Sequence, residues 1–188
     1  MTPIEQALIT IASFLDTAQI PYMTIGGIAN LVWGIPRATL DVDITIWVEE
    51  SRIARLLVSL RQKFLLLPDD PLAFIQETRV LPIETQEGIR TDLIFGQLPY
   101  EEQAIRRAIV QEFHGTPVRI CSPEDLIIHK IISERHQDRE DVRGIIQRLG
   151  AQLDRGYLDP LIHGLSSDLN RPEIVEFFEH CFHEREEF

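Results

Sequence analysis

The feature that most constrains the fold is a strand that runs into two glycines and a helix, with an aspartate-bearing strand soon after. Residues 22–25 predict a short strand, and Gly26-Gly27 follow it directly, before a short apolar segment that predicts a helix. Thirteen residues separate Gly27 from the segment 41–48, in which aspartates and β-branched residues alternate. That alternation predicts a strand. The order strand, diglycine, helix, strand favours an α/β fold.

The rest of the chain divides into two kinds of pattern. Further strands are predicted near 80–83 and 88–95, and helices recur among them, which predicts a mixed sheet within residues 1–120. Residues 121–188 are predicted to be helical throughout. We therefore predict an α/β (α+β) core over 1–120 and a C-terminal helical subdomain over 121–188 that packs on the core.

Charge and hydropathy narrow the classes of function. The 188 residues carry 30 acids against 18 bases, a formal charge of -12, with the excess spread along the whole chain. Because no basic half exists to bind a phosphate backbone, the composition disfavours a long nucleic-acid duplex as partner. No apolar run approaches the roughly 20 residues that span a bilayer, and the N-terminus lacks the pattern of a signal peptide. These features predict a cytoplasmic protein without a membrane partner.

Two aspartates of the second strand form a candidate metal site. Successive side chains of a strand alternate faces with a rise of about 3.3 Å per residue, so Asp41 and Asp43 share one face with Cα atoms about 7 Å apart. Like charges so close are costly unless a cation lies between them, and a hard divalent ion such as Mg²⁺ prefers oxygen ligands. The alternative is that both carboxylates are simply hydrated at the start of a strand.

A third acid follows in a later strand. Asp92 is the one acid in the otherwise apolar end of the segment 90–95, and it would join the pair if that strand neighbours the strand of Asp41. Three carboxylates that hold two metal ions suit in-line attack at phosphorus. The alternative is an ordinary acid on an edge strand.

The diglycine has a matching interpretation. Where two residues without side chains precede a helix, backbone N–H groups and the helix N-terminus can approach a triphosphate. Taken alone, Gly26-Gly27 is equally typical of a plain turn.

Together these residues resemble the nucleotidyltransferase superfamily with the DNA polymerase β-like fold. More narrowly, the segments 26–30 and 37–44 are similar to the AbiEii-type branch, which includes toxins of toxin–antitoxin systems, and the segments 122–130 and 139–142 are similar to its second block. The resemblance implies that Asp41, Asp43 and Asp92 are catalytic metal ligands. It also implies that Gly26-Gly27 hold the phosphates of a nucleoside triphosphate.

Three further residues are candidates for nucleotide binding. Arg37 and Thr39 lie in the loop just before Asp41, where Arg37 could meet a triphosphate oxygen or the acceptor, or form a surface salt bridge. Lys130 shares a predicted helix face with core residues. It is interpreted either as a phosphate contact or as a partner of Asp138 or Asp141 in a structural ion pair.

The sequence thus predicts a Mg²⁺-dependent nucleotidyltransferase that transfers a nucleoside monophosphate from an NTP to an acceptor hydroxyl on a tRNA end, a protein or a small molecule. Bound Mg²⁺ reverses the local charge, so an acidic chain can still attract a polyphosphate. The alternative from a different class is a catalytically silent member that acts as a toxin–antitoxin component or regulatory module. The expected macromolecular partner is an antitoxin or a second copy of the chain.

Overall fold

The computed structural model describes residues 1–186; the last two residues of the predicted helical subdomain lie outside that range. Within it, helices and strands alternate over the first two thirds of the chain, and helices alone follow. The helices are α1 Pro3–Thr17, α2 Gly26–Trp33, α3 Glu50–Leu60, α4 Pro71–Thr78, α5 Pro99–Arg107, α6 Pro123–Ile131, α7 His136–Leu149, α8 Arg155–Asp168 and α9 Glu173–Glu186. The strands are β1 Tyr22–Thr24, β2 Val42–Ile46, β3 Leu65–Leu66, β4 Val80–Glu84, β5 Arg90–Phe95, β6 Ile109–Phe113 and β7 Thr116–Ile120.

The strands form one mixed sheet in the order β3-β4-β5-β2-β1-β7-β6. Strand β2 lies near its middle, antiparallel to β1 and parallel to β5. The inner strands are β-branched and apolar on their buried faces; Val42, Ile44 and Leu93 are fully buried. Burial of this kind contributes about 1.5–3 kcal/mol per large side chain, and it fixes the register because a slip by one residue would expose the whole face. The predicted mixed α/β fold is confirmed.

Local signals explain where the helices begin. At α1, the Thr2 hydroxyl accepts a hydrogen bond from the N–H of Glu5 and the Glu5 carboxylate accepts one from the N–H of Thr2, with Pro3 at the first helical position. At α6, the Ser122 hydroxyl accepts the N–H of Asp125. No helix within residues 1–186 is both long and apolar enough to span a membrane.

The chain separates into two compact units. The first comprises Met1–Ile28 and Ala38–Cys121 and holds the whole sheet; the second comprises Ala29–Arg37 and the chain from Ser122 onward. The assignment of 29–37 to the helical unit differs from the division drawn from sequence. It follows from long-range contacts: Arg148 donates hydrogen bonds to the carbonyl oxygens of Val32 and Gly34, each at 3.0 Å.

Five elements were not predicted from sequence: strands β3, β6 and β7 and helices α4 and α5. Strands β6 and β7 form a hairpin whose turn places His114 and Gly115 at positive φ. Helix α5 follows β5, and α4 fills part of the connection after Pro68. Strand β6 is largely exposed and so lacks the alternation on which such predictions depend, and α5 contains few apolar residues.

Candidate active site

The turn between β1 and α2 packs directly against Asp43. Gly26 adopts a φ of +63°, a conformation that L-residues with a side chain rarely adopt. A Cβ added there would lie 2.0 Å from Asp43 Oδ2 and 2.8 Å from its Cγ. The N–H of Ile25 donates to the carbonyl oxygen of Asp43 at 2.9 Å. Glycine is therefore required at this position both by the backbone and by the carboxylate.

The second glycine plays a similar part for the loop before β2. A Cβ on Gly27 would lie 2.2 Å from Thr39 Oγ1. The Thr39 hydroxyl lies 3.3 Å from Asp41 Oδ1 and 3.4 Å from the Asp41 carbonyl oxygen, and it can donate to either. Each glycine thus leaves room for one side chain: Gly26 for that of Asp43, and Gly27 for that of Thr39, which contacts Asp41.

The third acid lies beside the pair. Strands β2 and β5 are parallel and in a register that pairs Asp43 with Asp92. Neighbouring strands are about 4.8 Å apart, so these two side chains project side by side from one face of the sheet. Asp41 lies two residues before Asp43, and all three aspartates are half-buried. The condition that the sequence set for Asp92, that its strand neighbours that of Asp41, is met.

Arg90 also belongs to this group, although it was not predicted as a site residue. Its Nε lies 2.9 Å from Asp92 Oδ1 and its second guanidinium nitrogen 3.2 Å from Asp92 Oδ2. The hydrogen bonds and charge of Asp92 raise the pKa of Arg90 above its usual value, and the charges of Asp41 and Asp43 add to that shift. The signal in the sequence was the spacing of two residues, which puts Arg90 and Asp92 on one strand face.

The three aspartates suit a hard divalent cation only once the Asp92 carboxylate is released from Arg90. Carboxylate oxygens on one half-buried face are the ligands that Mg²⁺ prefers, and the Asp43 carboxylate fills the space that a side chain at Gly26 would take. Within residues 1–186, however, no three His, Cys, Asp or Glu side chains are close enough together to share one metal ion. The carboxylate of Asp92 is bound by Arg90 instead.

Arg37 and Lys130 meet at Asp141 in the second unit. Arg37 binds Asp141 through two nitrogens, each at 2.8 Å. The Lys130 ammonium lies 2.8 Å from Asp138 Oδ1 and 2.7 Å from Asp141 Oδ2, and its side chain is only 6% exposed. Arg135 completes the cluster through Asp138 Oδ2 at 2.6 Å. The ion pair that the sequence left open for Lys130 is therefore present with both aspartates, whereas nucleotide binding by Arg37, Thr39 and Lys130 stays a prediction.

Burial and charge oppose each other at these two aspartates. Burial by itself would raise the pKa of Asp138 and Asp141. Hydrogen bonds outweigh burial at both residues, so the pKa of each carboxyl group lies below its usual value. Lys130, Ser133 and Arg135 donate them to Asp138, and Arg37 and Lys130 donate them to Asp141. Both aspartates are therefore ionised at neutral pH, and an oxygen of each lies within hydrogen-bond distance of the Lys130 Nζ.

The fold and the acidic strand face together define a class: a mixed sheet whose diglycine turn packs against an Asp-x-Asp strand is typical of nucleotidyltransferases. The sequence model of the family described as "Nucleotidyltransferase of unknown function (DUF6036)" matches residues 4–184. The chain belongs to this family, and it is by that membership a nucleotidyltransferase. This family model does not confirm the narrower AbiEii-type branch, which stays a prediction.

Solved structures with the same fold include three nucleotidyltransferase-type proteins. An antigenic nucleotidyltransferase-like protein from Paracoccidioides brasiliensis is 21% identical, covers 94% of this chain and 92% of its own, and has a TM-score of 0.57. ANT(2'')-Ia in complex with adenylyl-2''-tobramycin is 17% identical, with 87% and 95% covered and a TM-score of 0.55. The lincosamide antibiotic adenylyltransferase LnuA, lincomycin-bound, is 12% identical, with 75% and 95% covered and a TM-score of 0.52. At these identities the likeness establishes the fold. No curated protein sequence gives a significant match to the chain.

Proposed function

We propose that the chain is a cytoplasmic, Mg²⁺-dependent nucleotidyltransferase that transfers a nucleoside monophosphate from an NTP to an acceptor hydroxyl. The observation that carries this proposal is the pairing of Asp43 with Asp92 across β2 and β5, with Gly26 pressed against the Asp43 carboxylate. A half-buried face with three acids is costly to keep for stability alone, because like charges repel. A divalent ion and a polyphosphate would remove that cost.

The three aspartates would bind the metal ion, and one of them would also accept a proton. Asp41 and Asp43 would hold Mg²⁺, with Asp92 joining once it parts from Arg90. When bound, the metal neutralises phosphate charge and lowers the pKa of a coordinated hydroxyl. A carboxylate oxygen of Asp92 would accept the proton of the acceptor hydroxyl. The acceptor oxygen then bonds to the α-phosphorus as the bond from that phosphorus to the β-phosphate bridging oxygen breaks, so pyrophosphate leaves.

The backbone of the diglycine turn would receive the triphosphate. Helix α2 starts at Gly26, so its first N–H groups have no partner inside the helix and can donate to phosphate oxygens. Thr39 is held between Gly27 and Asp41 and would orient that end of the site. Arg37 and Lys130 are further candidates for nucleotide binding, because a guanidinium or an ammonium group can bind a phosphate oxygen.

A nearly isosteric replacement of Asp43 tests the proposal. Asp43→Asn is expected to weaken binding of Mg²⁺-NTP and to reduce NMP transfer by about 10³-fold, since metal stabilisation is worth several kcal/mol and each 1.4 kcal/mol is tenfold. Binding is measured by isothermal titration with each NTP. Transfer is measured as incorporation of α-labelled NMP into bulk tRNA, the protein itself or small hydroxylated compounds.

The control is Asp69→Asn, the same substitution at an exposed loop position. It should retain the binding and transfer of the unmodified protein. Asp43→Asn should unfold at no lower a denaturant concentration than this control, because it removes one of three neighbouring like charges. Equal, weak Mg²⁺-NTP binding by the unmodified protein and by Asp43→Asn, with no labelled product from either, would contradict the enzymatic proposal.

One observation favours the alternative of a silent, regulatory or toxin–antitoxin member. Both oxygens of Asp92 are bound by Arg90, so the third acid is occupied as the structure stands. If the chain is such a member, Asp43→Asn leaves its regulatory effect unchanged. A cognate partner then binds Asp43→Asn and the unmodified protein with the same affinity. The AbiEii-type assignment is part of this alternative, and so is an antitoxin or a second copy of the chain as partner. Both rest on the sequence resemblance.

A further inference from the structure

The contact between Arg90 and Asp92 has the geometry of a fork. Two guanidinium nitrogens meet the two carboxylate oxygens, at 2.9 and 3.2 Å. The side chains lie on one face of β5, because two residues separate them along the strand. Exposure is unequal: the Arg90 side chain is 57% exposed and that of Asp92 is 21% exposed. Asp92 is fixed by the sheet, whereas the guanidinium is free to turn on a long stem at the solvent boundary.

This contact and a metal at Asp92 compete, because the guanidinium takes one of the two lone pairs on each carboxylate oxygen. A carboxylate whose two oxygens both accept from a guanidinium cannot present the same lone pairs to a divalent ion. The charges of Asp41 and Asp43 also attract Arg90, so the guanidinium lies within electrostatic reach of the whole acidic face. Arg90 therefore provides the positive charge at this face in the absence of a metal.

We propose that Arg90 exchanges partners when substrate binds: it holds Asp92 in the metal-free enzyme and moves to a phosphate oxygen of the NTP once a divalent ion takes the Asp92 carboxylate. The inference rests on the proposed function and adds to it a residue that binds the triphosphate. The exchange costs little because an exposed ion pair is weak, and guanidinium binds phosphate with the same two-nitrogen geometry as carboxylate.

Removal of the guanidinium is expected to change two affinities in opposite directions. Arg90→Gln loses the competitor at Asp92, so Mn²⁺ alone should bind about 2- to 5-fold tighter, the range that exposed ion pairs typically contribute. It also loses a phosphate contact, so the Mn²⁺-loaded protein should bind a non-hydrolysable NTP analogue about tenfold more weakly. Electron paramagnetic resonance of free Mn²⁺ measures the first, and titration calorimetry with the analogue measures the second.

Three companion variants separate competition from a general charge effect. Arg106→Gln removes a guanidinium from another exposed ion pair, with Glu102, and should change neither affinity. Asp92→Asn removes the carboxylate for which Arg90 competes. In the Asp92→Asn background, Arg90→Gln should no longer tighten Mn²⁺ binding. If Arg90 acted only through its general positive charge, Arg90→Gln would still tighten Mn²⁺ binding in that background. Asp43→Asn should weaken Mn²⁺ binding outright.

The outcomes are distinguishable. If Asp43→Asn weakens Mn²⁺ binding but Arg90→Gln leaves it unchanged or weaker, or leaves analogue binding unchanged or tighter, the exchange is overturned and the metal site stands. If Arg90→Gln tightens Mn²⁺ binding equally in the presence and absence of the Asp92 carboxylate, competition is again overturned. If Asp43→Asn binds Mn²⁺ like the unmodified protein, the metal site itself fails, and the exchange fails with it. A misfolded variant would bind both Mn²⁺ and the NTP analogue more weakly. Tighter Mn²⁺ binding together with weaker analogue binding is therefore the result that supports the proposal.

Discussion

Replacing Gly26 by alanine is expected to reduce NMP transfer by about 10²-fold or more, since a displacement near 1 Å at a reacting centre has that effect. The new Cβ would lie 2.0 Å from Asp43 Oδ2, so the carboxylate or the turn must move. Either movement separates the start of α2 from the acid that it now contacts. The Asp43 carboxylate is predicted to lose its place at the metal, so Mn²⁺ affinity should fall together with transfer.

A matched glycine controls for backbone strain. Gly115 has a φ of +82° in the β6–β7 turn, and no other heavy atom of the described chain lies within 4 Å of where its Cβ would be. Gly115→Ala and Gly26→Ala both place a side chain in left-handed backbone, at about 1–2 kcal/mol each. Only Gly26→Ala should lose metal binding and transfer. Full transfer by Gly26→Ala, at a stability equal to that of Gly115→Ala, would show that the contact with Asp43 is unimportant for the reaction.

The parts of this site that depend on local sequence could be predicted. The alternation around Asp41 and Asp43 predicts the strand that carries Asp43, whatever that strand pairs with, and β2 begins directly after Asp41. Cap residues and a diglycine similarly indicate where a helix begins. The mixed sheet and the C-terminal helices followed from such local patterns.

The parts that depend on long-range pairing could not. The register of Asp43 with Asp92 is set by the packing of the whole sheet, which no window of sequence contains. Arg90 was two residues from a recognised acid, yet its ion pair could not be told from a solvated arginine without the neighbouring strand. The transfer of residues 29–37 to the helical unit likewise depends on Arg148 and Asp141, more than 100 residues further along the chain.

Replacing Lys130 by methionine is expected to destabilise the second unit by about 3 kcal/mol at pH 7, because breaking a buried ion pair leaves charge without compensation. Lys130 is bound by Asp138 and Asp141, and all three side chains are almost completely buried. Arg37 and Arg135 remain to offset part of the lost charge, which sets the expectation at the lower end of the usual range. Methionine keeps the length and apolar stem, so the loss reports the ammonium.

The sign of the pH dependence distinguishes this cause from a packing defect. In the unmodified protein both aspartates have lowered pKa values, so their contribution to stability is present above about pH 4, the unfolded value, and is lost as the pH falls through the lower folded pKa. Without Lys130, burial is opposed less, and the folded pKa values rise. On acidification, protonation of Asp138 and Asp141 removes buried negative charge from the variant. The difference in unfolding free energy between the unmodified protein and Lys130→Met should therefore narrow from pH 7 toward pH 4. A packing cavity would instead cost the same free energy at both pH values.

The two tryptophans and the two lysines of the chain make this measurable. Trp33 lies in the second unit and Trp47 in the first, so denaturant unfolding followed by fluorescence in a Trp47→Phe background reports the unit that contains Lys130. Lys63→Met, at the other lysine, is the control, because that side chain is exposed and lies 6.0 Å from the Phe14 ring centroid. It should cost well under 1 kcal/mol at either pH, as exposed charges typically do. A Lys130→Met protein as stable as Lys63→Met at pH 7 would mean that the carboxylates bind Lys130 without net stabilisation, leaving nucleotide binding as the remaining reason for a buried lysine at this position.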